Sequence, residues 1–407
     1  MSAALKTTLE AEKFYTELHD LEARFAAMKP ELETVVRDPE LGVEGYVVVW
    51  NTAISIGGPM ERSGKGGTRV TTSVTMDEVK MLARTMALKN AAAGLPLGGS
   101  KSGLRADTSA PDFEKKYRRF VKLCAPFLRE NGGPFGGFGF DLGAQPQQAL
   151  WACDELKSTT CFTGKPLSMG GTDYDREGIA GLGVAVAGQT MMEVRDVNPS
   201  NSTFAIQGMG NMGAAVLRYF SETGARLSAM ADPKYGGTWS FTKALSEELK
   251  TALIQQDTAT ANKLLPGEGQ KISSEPEDVL YQATDILFPC AVQNVLTETN
   301  SVKVKAKFVC EGANGPCTEE ARLKFHELGI FLVPDFIANS GGVIAAFVEL
   351  TSKSVRKADE AKIMTREKIA MNVREMYELA DRFGAEPQHA GMYMALSKIL
   401  RADPPSL

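Results

Sequence analysis

From Leu5 to Phe25 apolar residues recur at helical spacing among charges, so the chain opens on an amphipathic helix, and Pro30 begins a second short helical run. The pattern changes to strand at Tyr46-Val47-Val48-Val49-Trp50 and again over Thr68 to Val74, with glycine-rich Ser63-Gly64-Lys65-Gly66-Gly67 between them. Thr75 to Ala93 predicts a helix, because Thr75 can cap the first turn and Glu78 stands where a capping box needs it. Gly98-Gly99-Ser100-Lys101-Ser102-Gly103 reads as a glycine-rich turn, and Pro111 starts a further helix that runs to about Asn131. The segment Gly132 to Asp141 is too glycine-rich for regular structure and too apolar for a solvated linker, which fits a loop wrapped against a site. From about Gly164 strands and helices alternate, as in a mainly parallel, doubly wound sheet. Beyond Gly341 the pattern is helical to Ala402, long enough to leave a second domain and pack back across the first.

The expected fold is therefore α/β in two domains. Residues 1–163 form a mixed α/β first domain, 164–345 a doubly wound, Rossmann-type domain, and 346–407 C-terminal helices returning to the first. A length of 407 residues exceeds what one core usually holds, which agrees with that division. The net charge of -5, with Lys and Arg scattered, gives no basic footprint for nucleic acid. Met1 to Pro30 has no uninterrupted apolar run, so neither a secretory signal nor a membrane span is expected, and the protein reads as cytoplasmic. Cys124, Cys153, Cys161, Cys290, Cys310 and Cys317 form no CxxC pair, which argues against a disulfide scaffold and a structural zinc site. His19, His326 and His389 have no neighbouring nucleophile, so neither a Ser-His-Asp triad nor a metal site is expected.

Phe204-Ala205-Ile206-Gln207 reads as a buried strand and runs directly into Gly208-Met209-Gly210-Asn211-Met212-Gly213, which opens the apolar-periodic helix Ala214 to Thr223. This is GxGxxG in its strand-turn-helix setting. Gly208 permits the tight turn, Gly210 lets a pyrophosphate approach the backbone, and Gly213 lets helix and strand pack closely. Asn211 and Met212 lie within the turn, and the helix N-terminus that follows offers amides and partial positive charge to phosphates. A second strand, Arg226 to Ala231, ends at Asp232, where a carboxylate can hold the adenine ribose hydroxyls. Asp232 favours NAD, and Lys234 keeps NADP open.

Lys65, Lys89 and Lys101 stand beside glycine-rich or helix-end segments, where a small carboxylate can come close to the backbone. A buried ammonium near other cations loses its proton more easily, so one of these lysines can serve as a base, with Asp141 as the complementary acid-base group. Met86-Ala87-Leu88-Lys89-Asn90-Ala91 and Leu95 to Gly103 resemble the signature of the glutamate/leucine/phenylalanine/valine dehydrogenase family. The resemblance continues in family order through Thr163-Gly164-Lys165-Pro166, the GMGNMG turn, Pro289 to Asn294, Glu311 to Pro316 and Pro334 to Val343, and the length suits the glutamate branch.

The resemblance implies reversible oxidative deamination of an L-amino acid, glutamate first, with closure of an interdomain cleft, and a homo-oligomer joined through the first domain. It implies catalytic Lys101 and Asp141, Lys89 on the substrate α-carboxylate, Lys65 on a side-chain carboxylate, and Val343 and Ala346 beside the substrate. Asn294 and Asn314 match positions beside the nicotinamide. Three positions depart from the family pattern: Ser102 and Ala346 replace a glycine and a serine, and Ala180 stands where a threonine is usual. They leave open a dehydrogenase of aliphatic or aromatic amino acids, or a weakly active regulatory subunit.

Overall fold

A computed structural model describes residues 3–402, with the side chains of 9–401; the ends of the first and last expected ranges lie outside the described residues. The chain divides into two compact units. One holds Tyr15–Tyr174, Val343–Ala361 and residues 392–402; the other holds Asp175–Gly342, Lys362–Gly391 and residues 3–14.

Helix α1 (Ala3–Ala27) leads the chain. Strands β1 (Leu32–Asp38) and β2 (Val43–Val49) pair antiparallel, from Leu32 opposite Val49 to Asp38 opposite Val43. The second helical run expected after Pro30 is thus a strand. Glu33, Val35 and Arg37 are exposed while Leu32, Thr34 and Val36 turn inward, a period of two that the apolar β2 partner enforces. Next come β3 (Gly64–Lys65), β4 (Thr68–Thr71), α2 (Met76–Ala92) and β5 (Gly98–Arg105). The sheet order is β1-β2-β5-β3, with β4 also paired to β5. The segment expected as a glycine-rich turn is therefore an inner strand, antiparallel to β2 and parallel to β3 and β4. Its glycines serve packing rather than turning: a Cβ at Gly99 would collide with Ala87 N and Ala83 O of α2. Helix α3 (Phe113–Cys124), β6 (Phe138–Gly139), α4 (Pro146–Leu156) and β7 (Phe162–Thr163) complete this region around buried Tyr117, Phe120, Phe135, Phe138 and Phe162.

The second unit runs α5 (Ile179–Val194), β8 (Thr203–Gln207), α6 (Asn211–Phe220), β9 (Arg226–Asp232), β10 (Gly237–Ser240), α7 (Glu247–Ile254), α8 (Thr258–Glu268) and β11 (Gln270–Ser273). It continues through β12 (Ile286–Pro289), α9 (Glu298–Ser301), β13 (Phe308–Cys310), α10 (Glu319–Glu327), β14 (Phe331–Val333) and α11 (Asp335–Ala338). These strands form one sheet in the order β11-β10-β9-β8-β12-β13-β14. The five from β9 to β14 are parallel, and β10 and β11 add an antiparallel edge. Four of the five residues of β8 and all four of β12 are buried, as the inner strands of a covered parallel sheet require. The chain builds outward from β8 to β11 and then returns to β12 on the other side of β8. That reversal opens a crevice at the carboxyl ends of β8 and β12, where open α/β sheets take their ligands. Helices α12 (Gly341–Thr351), α13 (Lys357–Phe383) and α14 (Pro387–Ala402) end the described chain, and among the described residues no helix is long and apolar enough to cross a membrane.

Candidate active site

Strand β5 carries Lys101 into the first unit's interior, where it is only 4% exposed. Its Nζ lies 3.3 Å from Asp141 Oδ2, in the loop after β6. Arg69 Nε on β4 donates to the same oxygen at 2.9 Å, and Arg69 Nη1 reaches Glu78 Oε1 at 2.6 Å. Thr75 Oγ1 accepts Glu78 N as expected for a cap, but the Glu78 carboxylate goes to Arg69 instead of closing the capping box. Burial pushes the Lys101 amine below its ordinary range, Asp141 opposes that shift, and Arg69 adds to it. A lysine that gives up its proton this readily is suited to act as a base.

Lys65 on β3 is equally buried, and its Nζ donates to Gly66 O, Gly137 O and Phe138 O at 2.8, 3.0 and 2.8 Å. Burial pushes its pKa down to about 7; Glu349 works against that shift, and Lys101 and Lys165 add to it. Lys89 lies in the last turn of α2, the helix whose backbone meets β5 at Gly99.

Two residues of this cluster had no assigned role in the sequence reading. Glu349 of α12 has a fully buried side chain that accepts from Lys165 Nζ, from Gly164 N and Lys165 N at 3.1 and 3.4 Å, and from Thr172 N and Oγ1 at 2.9 and 2.7 Å. Lys165 lies in the Thr163–Pro166 block, which was legible as a motif but not as an ion pair. Val343, half-buried, and Ala346, buried, precede Glu349 at three-residue steps on the same helix. Within this buried group Lys65 and Lys165 face one carboxylate, with which Lys165 is ion-paired; among the described residues Lys65, which donates to three backbone carbonyls, has no ion pair. Ser102, which replaces a family glycine, sits 2.8 Å from Thr68 Oγ1 and ties β5 to β4.

In the second unit Gly208 has φ +85°, and a Cβ there would stand 2.7 Å from Ala291 Cα, so the glycine turn and the loop after β12 approach backbone to backbone. A Cβ at Gly213 would collide with Gly208 O, while one at Gly210 meets nothing within 4 Å. The turn is therefore closed toward the protein and open at Gly210 toward a ligand, and no acidic side chain occupies the first turn of α6. Asp232 accepts from Met209 N at 2.8 Å and Lys234 N at 3.0 Å, bracing the turn. Lys234 Nζ donates to Met209 O at 2.6 Å and Gln256 Oε1 at 3.2 Å, and Gln256 Nε2 reaches Asn211 Oδ1 at 2.6 Å. Asn294 N donates to Gly315 O at 2.8 Å, and Asn314 Oδ1 accepts from Asn339 Nδ2 at 3.0 Å. Both asparagines thus lie in the loops that follow neighbouring strands β12 and β13. Ala180 sits half-buried in the first turn of α5.

The chain matches two family models: Glu/Leu/Phe/Val dehydrogenase, dimerisation domain, over residues 31–158, and Glutamate/Leucine/Phenylalanine/Valine dehydrogenase over residues 170–404. It is 32% identical over 352 residues to an NADP-specific glutamate dehydrogenase of Saccharolobus shibatae, covering 83% of this chain and 81% of that one. It is 30% identical over 355 residues to an NAD-specific glutamate dehydrogenase of Peptoniphilus asaccharolyticus, covering 82% and 81%. The crystal structure of glutamate dehydrogenase from Peptoniphilus asaccharolyticus superposes with a TM-score of 0.75 at 24% identity, over 97% of this chain and 98% of that one. With both family models matched in order across most of its length, the chain belongs to the glutamate/leucine/phenylalanine/valine dehydrogenase family.

Proposed function

We propose that this protein catalyses the reversible NAD(P)-dependent oxidative deamination of L-glutamate to 2-oxoglutarate and ammonia. The observation that carries the reading is buried Lys101 paired at 3.3 Å with half-buried Asp141, a base and its proton partner, in the same unit as buried Lys65. Two glutamate dehydrogenases, one NADP-specific and one NAD-specific, are related to the chain over more than four-fifths of its length, which supports both substrate and coenzyme class. The open backbone at Gly210 and the acid-free first turn of α6 fit a dinucleotide pyrophosphate.

In this reading Lys89 holds the α-carboxylate and Lys65 the side-chain carboxylate, with Val343 and Ala346 beside the side chain. Asn294 and Asn314 hold the nicotinamide end, and Asp232 the adenine ribose. When bound, the dinucleotide would supply the acceptor for the hydride that leaves Cα of glutamate in its free-amine form, the ammonium proton having passed to solvent, and the substrate becomes an iminium. Lys101, as the neutral amine, takes a proton from water as the water oxygen bonds to the iminium carbon. Asp141 relays that proton to the nitrogen, and Lys101, neutral again, takes the remaining hydroxyl proton as the carbonyl forms and the C–N bond breaks, releasing ammonia and the 2-oxo acid. The first unit also carries assembly into a homo-oligomer, consistent with the dimerisation-domain match over residues 31–158.

The test exploits the Lys65 pKa of about 7. A side-chain carboxylate binds the charged form, so its affinity is full below that pH and weakens as pH rises, by roughly tenfold per unit well above it. A five-carbon 2-oxo acid without the terminal carboxylate has no such dependence. The ratio of its KM to that of 2-oxoglutarate, each measured with ammonia, is expected to fall steadily from pH 7 to 9. A flat ratio, or faster turnover of 2-oxo acids of leucine, valine or phenylalanine, would exchange the acidic substrate for an apolar one.

For the coenzyme, NADH is expected to bind more tightly than NADPH. Asp232 would repel a 2′-phosphate, and Lys234, tied by Met209 O and Gln256 Oε1, offsets that only in part. Fluorescence titration checks this, and Asp232→Ser should narrow the difference; equal or tighter NADPH binding by the unmodified protein reverses the assignment.

A further inference from the structure

We propose that Arg69 is a positioning residue for the reaction: it fixes the Asp141 oxygen that Lys101 faces and places a permanent positive charge beside that pair. The inference rests on the amino-acid dehydrogenase role given above. Asp141 lies in a loop, and its side chain is 22% exposed, so its own surroundings do little to hold its rotamer. The loop is instead fastened to β4, where Val70 N donates to Leu142 O at 2.9 Å and Arg69 Nε to Asp141 Oδ2 at 2.9 Å. The guanidinium is itself gripped at a second nitrogen by Glu78 Oε1 at 2.6 Å, from the capped first turn of α2. A planar fork held at two nitrogens cannot rotate, which is why arginine rather than lysine suits the place.

The electrostatic consequence follows from sharing. Lys101 on β5 is faced by Asp141 from the loop after β6 and by Arg69 from β4, with Glu78 of α2 behind Arg69. Lys65 on β3 adds a further cation to the neighbourhood, and beyond it stand Lys165 and Glu349. Burial is the main influence that favours the neutral Lys101 amine; Asp141 opposes it, and the Arg69 charge beside the same oxygen offsets part of that opposition. An arginine with a merely structural role would change stability or the height of the rate profile and leave the Lys101 titration where it is.

The experiment compares the full-length protein with Arg69→Gln. The pH at which Lys101 becomes half-reactive toward formaldehyde and cyanoborohydride is read by peptide mass spectrometry, and the acid limb of kcat/KM for glutamate is read beside it. Retained NADH binding and a cooperative melt show that the variant is folded. Both midpoints are expected to rise by about one pH unit, since the Val70 N to Leu142 O bond keeps the Asp141 loop beside Lys101 while the repulsion of Arg69 is gone. Glu78→Gln, which leaves the Arg69 charge less compensated, is expected to move them the opposite way and serves if Arg69→Gln does not fold. An unmoved Lys101 reactivity curve in a folded Arg69→Gln, or an upward shift in Glu78→Gln, would overturn the proposal. The labelling needs no turnover, so a shifted curve in a protein inactive on glutamate removes the substrate assignment and leaves the role of Arg69 standing.

Discussion

Lys101→Ala and Asp141→Asn are each expected to lower kcat by about 10²- to 10⁴-fold while dinucleotide binding is retained. The expectation follows from placement: Lys101 and Asp141 lie together in the first unit, whereas the glycine turn at 208–213 belongs to the second. Lys101→Ala removes the amine that takes the proton from water. Asp141→Asn keeps the shape of the side chain but leaves it unable to relay a proton, and it strips Lys101 and Arg69 of their shared carboxylate. NADH fluorescence titration separates loss of chemistry from loss of binding. Turnover within a few-fold of the parent in either variant would end the proposed mechanism.

Glu349→Gln is expected to destabilise the first unit by about 3–5 kcal/mol, because it leaves the Lys165 charge buried without its partner. At about 1.4 kcal/mol per decade, that is two to three and a half decades in the unfolding equilibrium. The carboxylate also holds Gly164 N, Thr172 N and Thr172 Oγ1, so the segment after β7 loses its anchor on α12. Removing the buried charge as well, Lys165→Met with Glu349→Gln, is expected to recover much of the loss, since the glutamine oxygen can still accept from Gly164 N and Thr172 N. Since Glu349 also helps keep Lys65 protonated, the single variant should weaken 2-oxoglutarate binding at neutral pH beyond its effect on stability. Denaturant titration checks the first effect, and KM measured well below the unfolding midpoint checks the second. Unchanged stability in Glu349→Gln would show that solvent or a neighbour already screens Lys165.

The dinucleotide half of the molecule was legible because its information is local. Strand, glycine turn, helix and acidic strand end all fall within Thr203–Asp232, and the closeness that Gly208 and Gly213 permit is written in the glycines themselves. The lysines and Asp141 could be singled out from composition and motif. Their protonation behaviour could not, since it depends on how deeply each is buried and on which charge stands opposite. Leu32–Asp38 and Gly98–Arg105 were misread, as helix and turn, because the feature that decides each lies elsewhere in the chain. An apolar β2 imposes extension on the first, and the backbone of α2 lying against the second makes its glycines a packing surface. Arg69 and Asp141 are 72 residues apart, and Lys165 and Glu349 are 184 apart, so no spacing rule connects them. The alternating α/β plan, the nucleotide turn and the residue types available for acid-base work are all written in the order of residues. Which charges share a buried space is set by the folded chain, because Coulomb interaction and desolvation act through distance and dielectric, not through separation along the chain.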